Sequence, residues 1–407
     1  MQDKKGGTGA LRENIRKEEG IENGREAGRE KTKKRVKELD SFKGFLIFLV
    51  VLGHFLLPLS DSPYPLFNRS FYLIYSFHMP AFLFLSGYFG YGTWKKRGTS
   101  FRSLFSYLLL YILMKFMLHR ADILFYDVHT RWPDFFHESS TPWYLLVLFF
   151  LELAMLPMEL FRRRKSGEQV VSLYLLCLIL LSFPLSFLEV GKELKDFLAL
   201  DRILGFAPFF YLGMIAKLGD FSFRRIHRMP FVLGAAFTLI LIVFLPTLLP
   251  YTRVFYGTWG YRIEREAILP FFKSHPMLLR IGFIPFSLCI AYFFFGLLVL
   301  LRQGKESIRP EISSRGSQIY FGMERVFQDR ETFLMKMGRY TMPIYVLHRP
   351  FRDAFYAGGL DAPFLYEGIS LWIIILFYVF LILLSLLLLF VLGRKTLDKL
   401  CRFRITE

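Results

Sequence analysis

Four ionisable side chains interrupt long apolar stretches of this sequence: His54, His78, His348 and Glu152. At 1.5 Å per residue, each lies roughly 15 to 20 Å from a charged end of its stretch, so the four share one predicted depth. Ionisable groups inside a bilayer are costly and usually face the helix bundle or a wet cavity. Histidine takes up and returns a proton near neutral pH, so three histidines at one level indicate proton-transfer chemistry. A single buried histidine is explained as well by an interhelical hydrogen bond, and Glu152 by a structural ion pair.

Lys43 precedes His54 by 11 residues. In a helix this spacing is three turns and about 20°, so the two side chains share one face roughly 16 Å apart. A cation at the rim and an imidazole deeper along the same face suit one elongated anionic ligand. From spacing alone, an ordinary positively charged anchor at the membrane surface explains Lys43 more simply.

The composition requires a membrane environment for these side chains. Of the 407 residues 54% are hydrophobic, and Leu371 to Leu392 is an apolar run in which Ser385 is the clearly polar member. Such a run is long enough to cross roughly 30 Å of hydrocarbon, which excludes an ordinary soluble enzyme. Three cysteines, two of them inside apolar runs, indicate no disulfide framework.

The elements that carry these residues are about ten predicted transmembrane helices in an all-α polytopic protein. The net charge of +18 falls mostly in short connections between apolar runs, which orients a membrane protein and makes nucleic acid an unlikely partner. Lys/Arg-rich connections follow the even-numbered segments, which predicts that both termini are cytoplasmic. The predicted segments are 44–60, 67–90, 102–118, 142–160, 169–188, 202–217, 229–250, 281–301, 334–356 and 370–392.

The apolar segments divide the chain into three predicted regions. Residues 1–40 are highly charged and are predicted to be a disordered cytoplasmic tail, because they cannot bury enough apolar surface to offset the entropy of ordering. Residues 41–393 form the predicted transmembrane domain, and 394–407 a basic cytoplasmic tail. The polar start of the chain indicates no cleavable signal peptide.

Five ordered motifs resemble the acyltransferase 3 family of membrane acyltransferases, especially its fucose 4-O-acetylase-like branch. Many members carry arginine where this chain has Lys43, and lysine keeps the charge but loses bidentate geometry. Gly87 and Gly213 within the motifs predict close helix approach, and Pro80, Pro208 and Pro343 predict kinked or unwound helices. The motifs are Leu39-Asp40-Ser41-Phe42-Lys43-Gly44 with Val51-Leu52-Gly53-His54; Phe77-His78-Met79-Pro80-Ala81-Phe82 with Leu85-Ser86-Gly87-Tyr88; Trp143-Tyr144-Leu145; Arg202 with Phe206, Pro208, Phe209, Phe210, Leu212 and Gly213; and Gly338-Arg339 with Ile344-Tyr345, Leu347 and His348.

The resemblance implies an enzyme of the cell membrane that moves an acyl group, usually acetyl from cytoplasmic acetyl-CoA, to a hydroxyl of a sugar or cell-envelope glycan. It implies acetyl-CoA as the donor, no metal, and contact with membrane lipid. His54 would be the general base, with His348, His78 and Glu152 as further catalytic candidates. Lys43, with Lys95, Lys96 or Arg102, would hold the CoA phosphates. Arg202, Trp143 and Tyr345 would contact the acceptor. For Arg202, contact with the developing oxyanion and a snorkelling arginine at the membrane interface are the alternatives.

Two other functions are compatible with buried histidines in a ten-helix bundle. A transporter or flippase of a lipid-linked saccharide would use them for proton coupling, and a membrane scaffold would use the basic tail to recruit a partner. Neither alternative accounts for the ordered motifs.

Overall fold

The computed structural model describes residues 37–60, 64–99, 101–126, 128–162, 167–186, 196–221, 223, 226–257, 270–307, 332–357 and 371–392. Short 3-10 segments at Leu57–Leu59, Leu156–Phe161 and Leu249–Tyr256 extend three of the helices. One isolated bridge pairs His137 with Phe197. The helices are α1 (Lys37–Leu56), α2 (Pro65–Arg97), α3 (Phe101–Tyr126), α4 (Trp143–Leu153), α5 (Gly167–Leu185), α6 (Leu200–Leu218), α7 (Arg228–Leu248), α8 (Pro270–Ser274), α9 (Pro276–Ser307), α10 (Phe333–Arg339), α11 (Thr341–Ala357) and α12 (Leu371–Leu392).

Helices occupy all ten predicted segments, which confirms an all-helical membrane-type fold. Within the described residues, six spans are long and apolar enough to cross a membrane, while the full count of ten crossings and the side of each terminus stay predictions. The predicted tails lie outside the described residues, except that residues 37–40 form the first turn of α1. The six spans are Glu38–Leu59, Phe101–Tyr126, Trp143–Phe161, Gly167–Leu185, Arg228–Tyr256 and Pro276–Arg302.

The ninth predicted segment is two helices rather than one. The chain leaves helical geometry at Tyr340, between α10 and α11. Pro343 explains the break, because it has no N–H to donate to the carbonyl of Arg339, where α10 ends. The break starts a new helix seven residues before His348.

Two reciprocal glycine pairs bring helices into backbone contact. A Cβ on Gly87 would overlap the carbonyl oxygen of Phe210, and one on Gly213 would overlap that of Phe84, so α2 and α6 pack backbone to backbone. This confirms the close approach predicted at Gly87 and Gly213. Gly44 of α1 and Gly338 of α10 are the second pair, since a Cβ on Gly44 would overlap the carbonyl oxygen of Leu334 and one on Gly338 that of Asp40.

Replacing Gly213 by alanine is expected to lower the apparent melting temperature clearly, because the added methyl group must push α2 and α6 apart. Overpacking of this kind costs about 1–3 kcal/mol. Gly282→Ala is the matched control, since nothing lies within 4 Å of a Cβ built there. Size-exclusion chromatography after a heat step measures both variants. Equal melting temperatures would show that the helix crossing tolerates separation.

A buried arginine compensates for the proline inside α6. Pro208 leaves the carbonyl of Leu204 without its helical donor, and the guanidinium of Arg280 donates to that oxygen. Arg280 also donates to the carbonyl of Ser182 at the end of α5, at 2.9 Å. Arg280 therefore joins α9 to α5 and α6 at the point where α6 lacks a backbone hydrogen bond.

Candidate active site

Two of the predicted histidines are in contact. His54 lies in the last turn of α1 and His348 near the middle of α11, with ring centroids 4.8 Å apart. Nδ1 of His54 and Nε2 of His348 are buried, and neither atom has a hydrogen-bond partner among the described residues. Buried polar atoms are normally hydrogen-bonded, so two unpartnered imidazole nitrogens beside each other indicate a place for a bound polar group.

The backbone of α11 sets the tautomer of His348. Its Nδ1 lies 2.6 Å from the carbonyl oxygen of Tyr345. Because a carbonyl only accepts, Nδ1 must carry the proton, and in the neutral ring Nε2 holds the lone pair. His78 has the same arrangement, with Nδ1 at 2.7 Å from the carbonyl of Ile74. Both rings can therefore accept a proton at Nε2.

The third histidine also belongs to this group. His78 is buried in α2 and interacts electrostatically with His54. The ring of Tyr75, one turn earlier on α2, lies 5.0 Å from the His78 ring, edge to face. The structure thus brings together all three histidines that the sequence singled out, from α1, α2 and α11.

An arginine–aspartate cluster on α11 lies close to His54 and His348. Asp353 is fully buried, and its carboxylate accepts from Nε of Arg349 at 3.1 Å and from Nε of Arg352 at 3.0 Å. Both arginines interact electrostatically with His54. Arg352 and Asp353 were not predicted from the sequence, although they lie only four and five residues after His348 on the same helix.

The predicted acceptor residues converge at the start of α4. The Tyr345 hydroxyl donates to the carbonyl of Thr141, and the Arg202 guanidinium lies 5.8 Å from the Trp143 ring. Arg202 also donates to the carbonyl of Glu138 and pairs with Asp196 at 3.5 Å. These acceptor residues are linked to the histidines through Tyr345, because the carbonyl of Tyr345 orients His348.

The connection before α4 is fixed to α3 by the carboxylate of Glu138, which was not predicted from the sequence. Glu138 is fully buried and pairs with Lys115 of α3 at 3.2 Å. Three residues further on, the Thr141 hydroxyl accepts from Nη1 of Arg349 at 3.3 Å. Glu138 sits in a polar stretch between apolar segments, so hydropathy alone gave no signal for it.

Comparison with known proteins identifies the family. Residues 36–394 match the family profile described as an acyltransferase domain. The chain belongs to the acyltransferase 3 family. No curated protein and no solved structure matches the sequence of this acyltransferase. Family membership and the apolar helices together support a membrane acyltransferase.

Glu152 of the acyltransferase does not join the histidines, which corrects the expectation of four groups at one level. It is buried and accepts from the Tyr107 hydroxyl at 3.2 Å. Trp143 and Thr141 mark the end of α4 that faces α11, and Glu152 lies nine residues beyond Trp143, about 14 Å along the helix. Its observed contact joins α4 to α3.

The predicted donor-binding cations of the acyltransferase do not form one group. The ammonium of Lys43 lies 4.7 Å from the Phe89 ring of α2 and pairs with Asp40 at 3.4 Å. Lys95 pairs instead with Glu168 of α5. Phe89 and Lys95 are six residues apart, about 240° around α2, so Lys43 and Lys95 meet different faces of that helix. Lys96 and Arg102 are exposed near the ends of α2 and α3.

Proposed function

We propose that this acyltransferase moves an acetyl group from cytoplasmic acetyl-CoA to a hydroxyl of a sugar or cell-envelope glycan, in the manner of the fucose 4-O-acetylase-like branch. The observation that carries the proposal is the buried contact between His54 and His348, with one unpartnered nitrogen on each ring. An alcohol attacks a thioester poorly until its proton is removed. A buried imidazole with a free lone pair supplies that function.

In the proposed reaction, His54 takes the proton of the acceptor hydroxyl as its oxygen attacks the thioester carbonyl carbon. His348 stabilises the resulting imidazolium through its own Nε2, whose lone pair is set by the Tyr345 carbonyl. Collapse of the tetrahedral intermediate breaks the carbon–sulfur bond. The departing thiolate takes the proton back from His54, so the enzyme returns to its starting state.

The donor would approach along α1. Lys43 lies on the same helix as His54, 11 residues earlier, and therefore on nearly the same face. Its ammonium suits a CoA phosphate at the membrane rim. The pantetheine arm would then follow that face to the histidines. Lys95, Lys96 and Arg102 would contribute to the positive field at this end rather than to the same phosphate contact.

The acceptor would bind beside the start of α4. Trp143 offers an aromatic face and packs on Phe206 with ring centroids 5.2 Å apart. Arg202 donates to the carbonyl of Glu138 and Tyr345 to that of Thr141, so both residues are fixed to the connection before α4. Sugar rings stack on aromatic faces, and their hydroxyls suit guanidinium and phenol groups.

Transfer of radiolabelled acetyl tests the proposal. Purified protein in proteoliposomes is supplied with labelled acetyl-CoA and a cell-envelope glycan extract, beside succinyl-CoA and longer thioesters. Label in the glycan fraction is the expected result. Movement of a lipid-linked saccharide across the vesicle with no use of any thioester would contradict the proposal and favour a transporter.

Lys43→Ala is expected to raise KM for acetyl-CoA about tenfold while kcat changes little, which equals the loss of one charge-assisted hydrogen bond. Lys43→Arg should retain most of the affinity, because the charge is kept. Lys217→Ala is the matched control, since its ammonium also lies against an aromatic ring, that of Tyr88 at 5.1 Å. A KM effect equal to that of the control would remove Lys43 from the donor site.

A further inference from the structure

Tyr75 lies against His78 and against Gly53, the residue before His54, although no sequence motif assigned it a role. It precedes His78 by three residues on α2, so the two side chains share a helix face. Its ring also approaches the residue before His54, since a Cβ built on Gly53 would lie 3.1 Å from Cε2 of Tyr75. Cε2 is bonded to the carbon that carries the hydroxyl. The hydroxyl-bearing end of the ring therefore lies near Gly53, one residue before His54.

Gly53 makes this approach possible. A methyl group at that position would press on the Tyr75 ring and on the side chain of Ile74, at 3.1 and 3.4 Å. The rings of Phe71 and Tyr256 pack on Tyr75, with centroids 4.2 and 5.3 Å away. The ring is thus held from several sides, whereas the hydroxyl makes no hydrogen bond to the described residues and the side chain is only partly buried.

Two positive charges act on both Tyr75 and His54. Arg349 and Arg352 interact electrostatically with both groups. Positive charge next to a neutral O–H donor favours binding of an oxygen on which negative charge develops. Acyl transfer needs a hydrogen-bond donor, positive charge and a base. Here the Tyr75 phenol, the two guanidinium groups and His54 supply them.

We infer that Tyr75 is a catalytic hydrogen-bond donor that stabilises the oxyanion formed from the thioester. The inference rests on the proposed function. As the acceptor oxygen bonds to the thioester carbon and its proton passes to His54, the carbonyl π electrons move to the oxygen, which accepts the hydrogen bond from Tyr75. The electrons return when the carbon–sulfur bond breaks, and the CoA thiolate takes the proton from His54. Tyr75 keeps its own proton throughout.

Tyr75→Phe tests this role, because it removes the hydroxyl and leaves the packed ring in place. Removing one oxyanion donor is expected to lower kcat about 10²- to 10³-fold with little change in KM for acetyl-CoA or acceptor. Tyr64→Phe, at the beginning of α2, is the matched control and should keep wild-type kcat. CoA release from acetyl-CoA in the presence of the glycan extract measures all three proteins, and the melting temperature checks that they fold.

A second pair of variants tests the position of the ring. Gly53→Ala is expected to lower kcat by displacing Tyr75, while Gly282→Ala, with open space around it, should not. A Tyr75→Phe kcat within about threefold of wild type would overturn the role of Tyr75 but not the proposed function. A change confined to the acceptor KM would do the same, because it would make Tyr75 a binding residue. Absence of CoA release from wild-type protein would overturn the proposed function as well.

Discussion

Replacing His54 by alanine is expected to reduce kcat for acetyl transfer about 10²- to 10⁴-fold, the contribution of a general base. The protein should still insert and accumulate, because His54 occupies the last turn of α1 and its side chain is not fully enclosed. The measurement is labelled acetyl transfer at saturating acetyl-CoA. His227→Ala is the control, since His227 is an exposed histidine at the beginning of α7.

A double-mutant cycle with His348 sharpens this result. If the two imidazoles act as one unit, His348→Ala should also reduce kcat. The kcat of the double variant should then be only slightly below that of the less active single variant. Strictly additive losses would show that the two rings act independently despite the 4.8 Å separation of their centroids. Full activity of His54→Ala would remove the base from the proposed mechanism.

Asp353→Ala is expected to cause the largest loss of stability. The carboxylate is fully buried, and its removal leaves the buried Arg352 and the partly buried Arg349 without their common partner. Removal of one partner from a buried ion pair costs about 3–5 kcal/mol, so little folded protein should remain. Asp353→Asn keeps the shape and should be less damaging. Yield and melting temperature after detergent extraction measure the effect.

The matched control for this prediction is Asp134→Asn. Asp134 pairs with His137 at 2.9 Å, but both side chains are at least half exposed. Exposed pairs contribute about 0–1 kcal/mol, so this variant should behave like wild type. If the Asp353 and Asp134 variants had equal stability, the arginine–aspartate cluster would not be a structural support of α11.

Hydropathy was sufficient to locate the helices, because each membrane-type helix must satisfy its own backbone in an apolar stretch. The glycine contacts of α2 and α6 were predictable as well, since Gly87 and Gly213 lie in motifs that need close packing. Pro343 predicted a kinked or unwound helix in this segment, but not that the segment divides at Tyr340 into two helices. There the apolar pattern continued across two helices and concealed the change of direction.

Neighbouring helices were harder to predict than helix positions. Equal depth placed His54, His78 and His348 together correctly, yet the same argument failed for Glu152, because the start of α4, and not its middle, lies beside α11. Lys43 and Lys95 were separated for a related reason, since the face of α2 that each meets depends on helix packing. Glu138 and Asp353 were missed because polar surroundings hid them from a search of apolar segments.

The most direct test of the account is release of free CoA from acetyl-CoA by detergent-purified protein, wild type beside His54→Ala and His227→Ala, with the glycan extract present. Release is expected from wild type and from His227→Ala, and its loss in His54→Ala. Equal CoA release by all three folded proteins would contradict the assignment of His54 as the base. Absence of release from wild type with acetyl, succinyl and longer thioesters would contradict CoA-dependent acyl transfer.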